Sequence, residues 1–183
     1  SFTSGEGSTL QVAVYSKNAA KIVLEIYDSA SGTVAACDYD MKKGAGDIWR
    51  AAVAQVPGKT FYAFRAWGPN WTFDSSWTRG NSSAGFVSDC DSNGNRFNPN
   101  KVLYDPYSKE MSHDKSNVTA LNGENGAIYG TGAGTYSGAC TGGSAIARRN
   151  VDTGKFAPKT VAFMDAEAAD KITAPIAQKD AII

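Results

Sequence analysis

The sequence predicts an all-β protein, an immunoglobulin-like β-sandwich with long irregular loops and little helix. Three observations point there. Apolar and polar residues alternate with a period of two through the first part of the chain, as in strands with one buried face. Clusters of Gly, Ser, Asp and Pro separate the alternating runs at short, near-regular intervals. Helix formers are sparse and glycine is plentiful, 19 among 183 residues, which suits short strands joined by turns.

The elements follow in order. Leu10, Val12 and Val14 alternate with Gln11, Ala13 and Tyr15, which predicts a strand over 10–15. Over 21–27, Ile22, Leu24 and Ile26 lie on one face and Val23, Glu25 and Tyr27 on the other. Residues 29–32 have turn chemistry, and 33–41 reads as the next strand. Lys42-Lys43-Gly44-Ala45-Gly46-Asp47 turns the chain into a strand over 48–56, and Pro57-Gly58-Lys59 leads into an aromatic strand over 60–67. From 68 to 100 the chain reads as loop, rich in Trp, Asn, Ser, Asp and Gly; a connection this long inside a compact domain is functional or packed against something. A short strand is expected over 101–104, a glycine-dense loop over 121–143, and a strand returning to the sheet within 145–163, through Lys155-Phe156-Ala157-Pro158-Lys159. Residues 165–171 form the best short helical turn, and an apolar strand begins within 178–183.

The bulk properties exclude several classes. The length fits one domain with a real core. Eighteen basic residues balance 18 acidic ones, so no nucleic-acid surface or basic membrane patch is expected. No apolar run approaches the roughly 20 residues of a spanning helix. Ser1-Phe2-Thr3-Ser4-Gly5 lacks the charged and apolar regions of a targeting peptide, as a trimmed start would. Cys37, Cys90 and Cys140 fit no metal-ligand spacing; one disulfide with a free thiol, or three buried thiols, both suit them. The trimmed start and disulfide-capable cysteines favour secretion. Asn70-Trp71-Thr72, Asn81-Ser82-Ser83 and Asn117-Val118-Thr119 match the N-glycosylation pattern, which chance also supplies in a chain this rich in Asn, Ser and Thr.

Few constellations carry chemistry. Asp89, Asp91, Asn93 and Gly94 match the opening of a calcium loop, but the twelfth position is Asn100 where a bidentate Glu is required, so a plain Asp/Asn/Gly turn is the better reading. Trp67, Trp71, Phe73 and Trp77 crowd together on and beside the long loop. Their faces suit sugar rings, with Asn70 and Asp74 beside them for hydroxyls, so Trp67, Trp71, Trp77 and Asn70 are candidate substrate-binding residues. Core or interdomain packing is the alternative for these rings, and Trp49, within a strand, reads as core. His113, the only histidine, has no nucleophile beside it in a recognisable context. No carboxylate pair is placed for glycosidic acid–base work, and the glycine-rich segment lacks a phosphate-loop ending.

Two stretches are more specific. Phe61-Tyr62-Ala63-Phe64-Arg65-Ala66-Trp67-Gly68-Pro69-Asn70-Trp71 is an aromatic strand running into a Gly-Pro turn; Asn95-Arg96-Phe97-Asn98-Pro99-Asn100-Lys101, followed by Asp105-Pro106-Tyr107, is a Pro-punctuated run of polar and aromatic groups. Together they closely resemble a paired signature at the N-terminal end of isoamylase-type glycogen and starch debranching enzymes. Val12-Ala13-Val14-Tyr15-Ser16, Ile22-Val23-Leu24, Ile48-Trp49, Ala84-Gly85-Phe86-Val87-Ser88-Asp89 and Ala157-Pro158-Lys159 extend the likeness over most of the chain.

The resemblance implies a β-sandwich classed with starch- and glycogen-associated carbohydrate-binding modules. In that family it packs against a (β/α)₈ barrel of the α-amylase superfamily that hydrolyses α-1,6 branch linkages, and the catalytic carboxylates belong to the barrel. No catalytic role therefore passes to any residue here. Residues 1–109 would be the sandwich module with its aromatic loop, 110–177 a glycine-rich extension and returning strand, and 178–183 the entry to the barrel. Arg96, Phe97, Asn98, Asn100, Asp105 and Tyr107 are the candidate domain-interface residues. Some family members bind calcium near the domain junction, and an aspartate matching Asp114 supplies a ligand, so Asp114 is a metal candidate in the intact enzyme; no cofactor is required by the module. The implied partners are the C-terminal barrel of the same parent chain and branched α-glucan. The competing reading, a stand-alone immunoglobulin-like carbohydrate-binding or adhesion domain, leaves the 96–107 block unexplained.

Overall fold

The computed structural model describes residues 2–3, 9–54, 59–112, 135–137 and 145–163. His113, Asp114, Asn117, Cys140, most of the glycine-rich 121–143 loop, the 165–171 turn and the 178–183 strand lie outside the described residues.

Ten strands are described: β1 (Phe2–Thr3), β2 (Thr9–Tyr15), β3 (Lys21–Tyr27), β4 (Cys37–Asp40), β5 (Lys42–Lys43), β6 (Ile48–Ala54), β7 (Lys59–Trp67), β8 (Thr135–Ser137), β9 (Ala145–Ala147) and β10 (Thr160–Phe163). One four-stranded sheet has the order β1-β2-β6-β5, the other β10-β7-β3-β4, and β8 and β9 form a separate pair. Within these sheets neighbouring strands are antiparallel. The two larger sheets form the sandwich that the alternation predicts.

Register follows from which side chains are apolar. Ile22, Leu24 and Ile26 of β3 sit opposite Ala66, Phe64 and Tyr62 of β7, so all six point to one face. That face packs against Leu10 and Val12 of β2 and Trp49 and Val53 of β6, forming the main core. Sliding β3 by one residue would turn Glu25 into this layer and Leu24 out of it.

Several elements differ from the sequence reading, and β8 lies within 121–143, which the sequence reads as loop throughout. Of the strand expected over 33–41 only Cys37–Asp40 forms, as β4, while Lys42 and Lys43, expected to turn the chain, form β5 in the other sheet. Met41, between them, is buried in the core, so the chain crosses between sheets where an apolar side chain plugs the edge. The strand expected over 101–104 is reduced to one bridge, Leu103 with Phe64, because the chain is extended there only long enough to satisfy the Phe64 backbone.

The larger difference is that β3 and β7 are buried on both faces. Val23, Glu25 and Tyr27 of β3, and Ala63, Arg65 and Trp67 on the same face of β7, are all buried. Irregular chain within 68–102 and 148–159 covers this second face as a third layer. Its centre is ionic. The Glu25 and Arg65 side chains are 0% and 1% exposed, and Arg65 Nε donates to Glu25 Oε1 at 2.6 Å. Arg65 Nη1 reaches the Pro99 carbonyl at 2.7 Å, and Nη2 reaches Asp152 Oδ1 at 3.0 Å. Arg79 joins Glu25 to Asp38, and the Tyr27 hydroxyl donates to Glu25 Oε2. Burial works against the Arg65 charge, but Asp152 and Glu25 outweigh it and raise its pKa. Lone charges could not occupy this layer; paired ones can.

Losing one partner of such a pair costs about 3–5 kcal/mol, whereas replacing both by apolar groups recovers much of it. Urea unfolding of Arg65→Met is expected to show a loss of that size, and Glu25→Met/Arg65→Met should be less damaged than the sum of the single variants. Strict additivity would mean that the pair is not the constraint described.

Two buried lysines add a pH dependence. Burial pushes Lys101 and Lys159 down to about 8; their Nζ groups donate to the Val151 and Ala157 carbonyls. Because unfolded lysine holds its proton up to about pH 10.4, the unfolded chain binds more protons between these values, and stability rises with pH across that window. Burial, then the Glu25 carboxylate, raises the Tyr27 phenol, and burial with Asp105 raises that of Tyr62. Unfolded tyrosine ionises near pH 10, so these two phenols reverse the trend above that pH. Thermal unfolding is expected to give a higher Tm at pH 9.5 than at pH 7, with a smaller rise in Lys159→Met. A flat or falling profile would contradict the burial of these amines.

Candidate functional site

The two signature stretches are one structural unit. The Tyr62 hydroxyl donates to Asp105 Oδ2 at 2.9 Å. Phe64 and Leu103 exchange both backbone hydrogen bonds, at 2.8 and 2.9 Å. Arg65 binds the Pro99 carbonyl, and the Phe97 ring lies against the Gly68 Cα, where any Cβ would overlap it. Asn70 completes the series: Nδ2 donates to the Ser88 and Phe97 carbonyls at 3.1 and 2.9 Å, and Oδ1 accepts from Phe97 N at 2.8 Å. Successive residues of β7 and its turn thus meet successively earlier residues of the 97–105 segment. Glycine at 68 and asparagine at 70 are required because one leaves room for a ring and the other supplies donor and acceptor together.

This geometry sorts the sequence candidates. Asn70, Trp67 and Trp71 are interior, with 0%, 2% and 1% of their surface exposed, so the structure favours the packing role for them. Trp71 Nε1 donates to the Ala84 carbonyl, and its ring meets Phe86 edge-on at 5.0 Å. Trp67 stands edge-on to both Phe73 and Trp77. What faces solvent here is Phe73, 48% exposed, and the half-buried Trp77. Lys21 Nζ sits 4.3 Å above the Phe73 ring and pairs with Asp40. Asp74 is exposed and bonded to Ser76, whose hydroxyl and amide hold its carboxyl below the usual range.

Among the interface candidates, Asn100 and Asp105 are buried, Phe97 and Asn98 are half-buried, and Arg96 and Tyr107 are exposed. Asp105 accepts from Tyr62 and from Tyr107 N, and its own amide donates to Thr160 Oγ1. Asn100 Nδ2 donates to the Ser82 and Arg149 carbonyls. Asn70 lies too deep for a glycan at its sequon, whereas Asn81 is exposed.

The calcium-like run is a turn. Asp91 Oδ1 accepts from the amides of Asn93 and Asn95, and Oδ2 from Asn95 Nδ2. The Asn95 side chain, then its amide, hold the Asp91 carboxyl below the usual range. Asp89 instead pairs with Arg149 through both oxygens. Among the described residues no cluster of His, Cys, Asp and Glu could hold a metal ion.

A feature not expected from sequence is an apolar cleft of about 580 Å³ beside β7. Val14, Tyr15, Phe97, Leu103, Tyr104 and Met111 form much of its wall. Among the described residues no Asp or Glu lines it, so it lacks the paired carboxylates of glycoside hydrolysis. Sequence alone offered the isolated apolar residues of 102–111 but no period that would join them to Val14 and Tyr15 across the sandwich.

No family model matches the chain. Over 177 residues it is 37% identical to the isoamylase of Pseudomonas amyloderamosa, covering 93% of the chain and 21% of that protein. Its relatives are isoamylases. The Flavobacterium isoamylase is 36% identical over 165 residues, covering 85% of the chain and 19% of the relative. The chain thus spans about a fifth of the length of the curated isoamylases it matches.

Asn70→Ala leaves the Phe97 amide and the Ser88 and Phe97 carbonyls without their partner, at about 1–3 kcal/mol for each buried group left unsatisfied. Tyr107, 78% exposed, is the control, since surface substitutions usually change stability by less than about 0.5 kcal/mol. Chemical denaturation of Asn70→Ala and Tyr107→Ala should separate by several kcal/mol; equal midpoints would refute the interlock. Gly68→Ala, which forces the Phe97 ring aside, is expected to cost about 1–3 kcal/mol.

Proposed function

We propose that the chain is the non-catalytic N-terminal module of an isoamylase-type debranching enzyme, one that hydrolyses α-1,6-glucosidic branch linkages in glycogen or starch. The observation that carries this is the likeness to isoamylases over 93% of the chain but only 21% of the relative. The module supports a (β/α)₈ catalytic barrel and helps engage branched α-glucan. In the 68–100 loop the exposed Phe73 and the half-buried Trp77 are open to a sugar face, and Arg96 and Tyr107 are the interface candidates open to a partner domain. Asp114 would contribute a calcium ligand only together with groups from the barrel.

The expected result is that the purified chain releases no reducing ends from amylopectin. Placed in the Pseudomonas isoamylase in exchange for the matching stretch, it should sustain debranching. Release by the chain alone, or an exchanged enzyme no better than one lacking the stretch, would count against the reading. Glycogen affinity electrophoresis separates the support and binding roles: Trp77→Ala and Phe73→Ala should reduce retardation if the loop binds glucan.

A further inference from the structure

We propose that the apolar cleft beside β7 is the seat of the remaining part of a longer parent chain, a protein surface and not a glucan. This rests on reading the chain as one module of a debranching enzyme, and it assigns the face through which the module is held.

The mouth of the cleft is unusually apolar for a free surface. Tyr15, Leu103, Tyr104 and Met111 are 58%, 50%, 50% and 39% exposed, and all four line the same cavity. Clustered apolar exposure of this kind marks an interaction site. The wall is also preformed. Leu103 is pinned to Phe64 by two backbone hydrogen bonds, Asp105 to Tyr62 and Thr160 by its carboxylate and amide, and Met111 bridges Thr160. A rigid surface loses little conformational entropy on docking.

The lining chemistry chooses the occupant. A glucan presents hydroxyls on every ring, and burying them without partners is unfavourable. Among the described lining residues the side-chain polar groups are those of Ser16, Lys101, Tyr15 and Tyr104, and Lys101 is turned inward to the Val151 carbonyl. Among the described residues no carboxylate or amide side chain lines the cleft to orient a sugar. An apolar protein surface needs none. Such a surface is at hand in the parent: the chain accounts for 21% of the matched Pseudomonas isoamylase, so about four fifths of that protein lies outside it.

Hydroxyl-radical footprinting of this chain and of intact Pseudomonas isoamylase, read over 101–111 here and over the aligned segment there, tests the assignment. The segment should be modified at least fivefold more slowly in the long enzyme; equal reactivity overturns the proposal. In the exchanged enzyme, Leu103→Glu/Tyr104→Glu should raise the rate of proteolytic separation of the module about tenfold or more. The same pair should leave the Tm of the isolated chain nearly unchanged. Unchanged proteolysis also overturns it, as does saturable protection of Tyr15 and Tyr104 by maltoheptaose, which would make the occupant a glucan. A dimer of this chain that Leu103→Glu dissolves would make it a second copy and likewise overturn it. Debranching that survives the exchange while 101–111 remains unprotected sinks this inference alone. Protection without debranching sinks the functional reading alone.

Discussion

The buried pair of Glu25 and Arg65 is the constraint on which the outer half of the molecule depends. It lies on the face of β3 and β7 opposite the main core, where a two-layer sandwich would present solvent. Because Arg65 also binds Pro99 and Asp152, and Glu25 also binds Arg79 and Tyr27, two side chains draw irregular segments from distant parts of the chain onto one sheet. Loops held in this way behave as a third layer. Their fixed geometry comes from charge compensation in a dry interior more than from any secondary structure of their own.

The same logic explains why the signature residues have the identities they do. Tyr62, Arg65, Gly68 and Asn70 each meet a specific group of the 97–105 segment, through a hydroxyl, a guanidinium, a missing side chain and an amide. The residues that carry the likeness to isoamylases therefore act first as a latch between a strand and the chain that crosses it. Substitution at most of them would be felt as lost stability before any effect on a ligand. Surface chemistry is left to the residues between and beside them: Phe73 and Trp77 in one patch, Tyr15, Leu103, Tyr104 and Met111 in another.

These two surfaces are unlike in kind. The aromatic loop carries polar neighbours, with Asp74 and Lys21 close to the rings, and so has the mixed character that a hydroxyl-rich ligand needs. The cleft beside β7 is apolar and stiff, which suits a protein face.

Residue order by itself determined β2, β3, β6 and β7 and their inward faces. Strong alternation at 10–15 and 21–27 and the aromatic run at 60–67 specify a period of two whatever surrounds them, since local sterics and apolar burial favour the same structure. It also determined the kinship, because the two signature stretches are contiguous and can be read one residue after another. Tertiary structure alone decided what those residues do. Glu25 sits at an outward position of an alternating strand and reads as solvated. Only the arrival of Arg65 and Arg79 makes its burial favourable. Trp71 and Asn70 read as exposed loop residues until the 84–97 segment closes over them. The cleft was illegible for a related reason, since Val14 and Tyr15 meet Leu103 and Met111 only through the stacking of two sheets. Periodicity reports one element at a time, whereas a third layer, a buried ion pair and a cleft are properties of elements brought together.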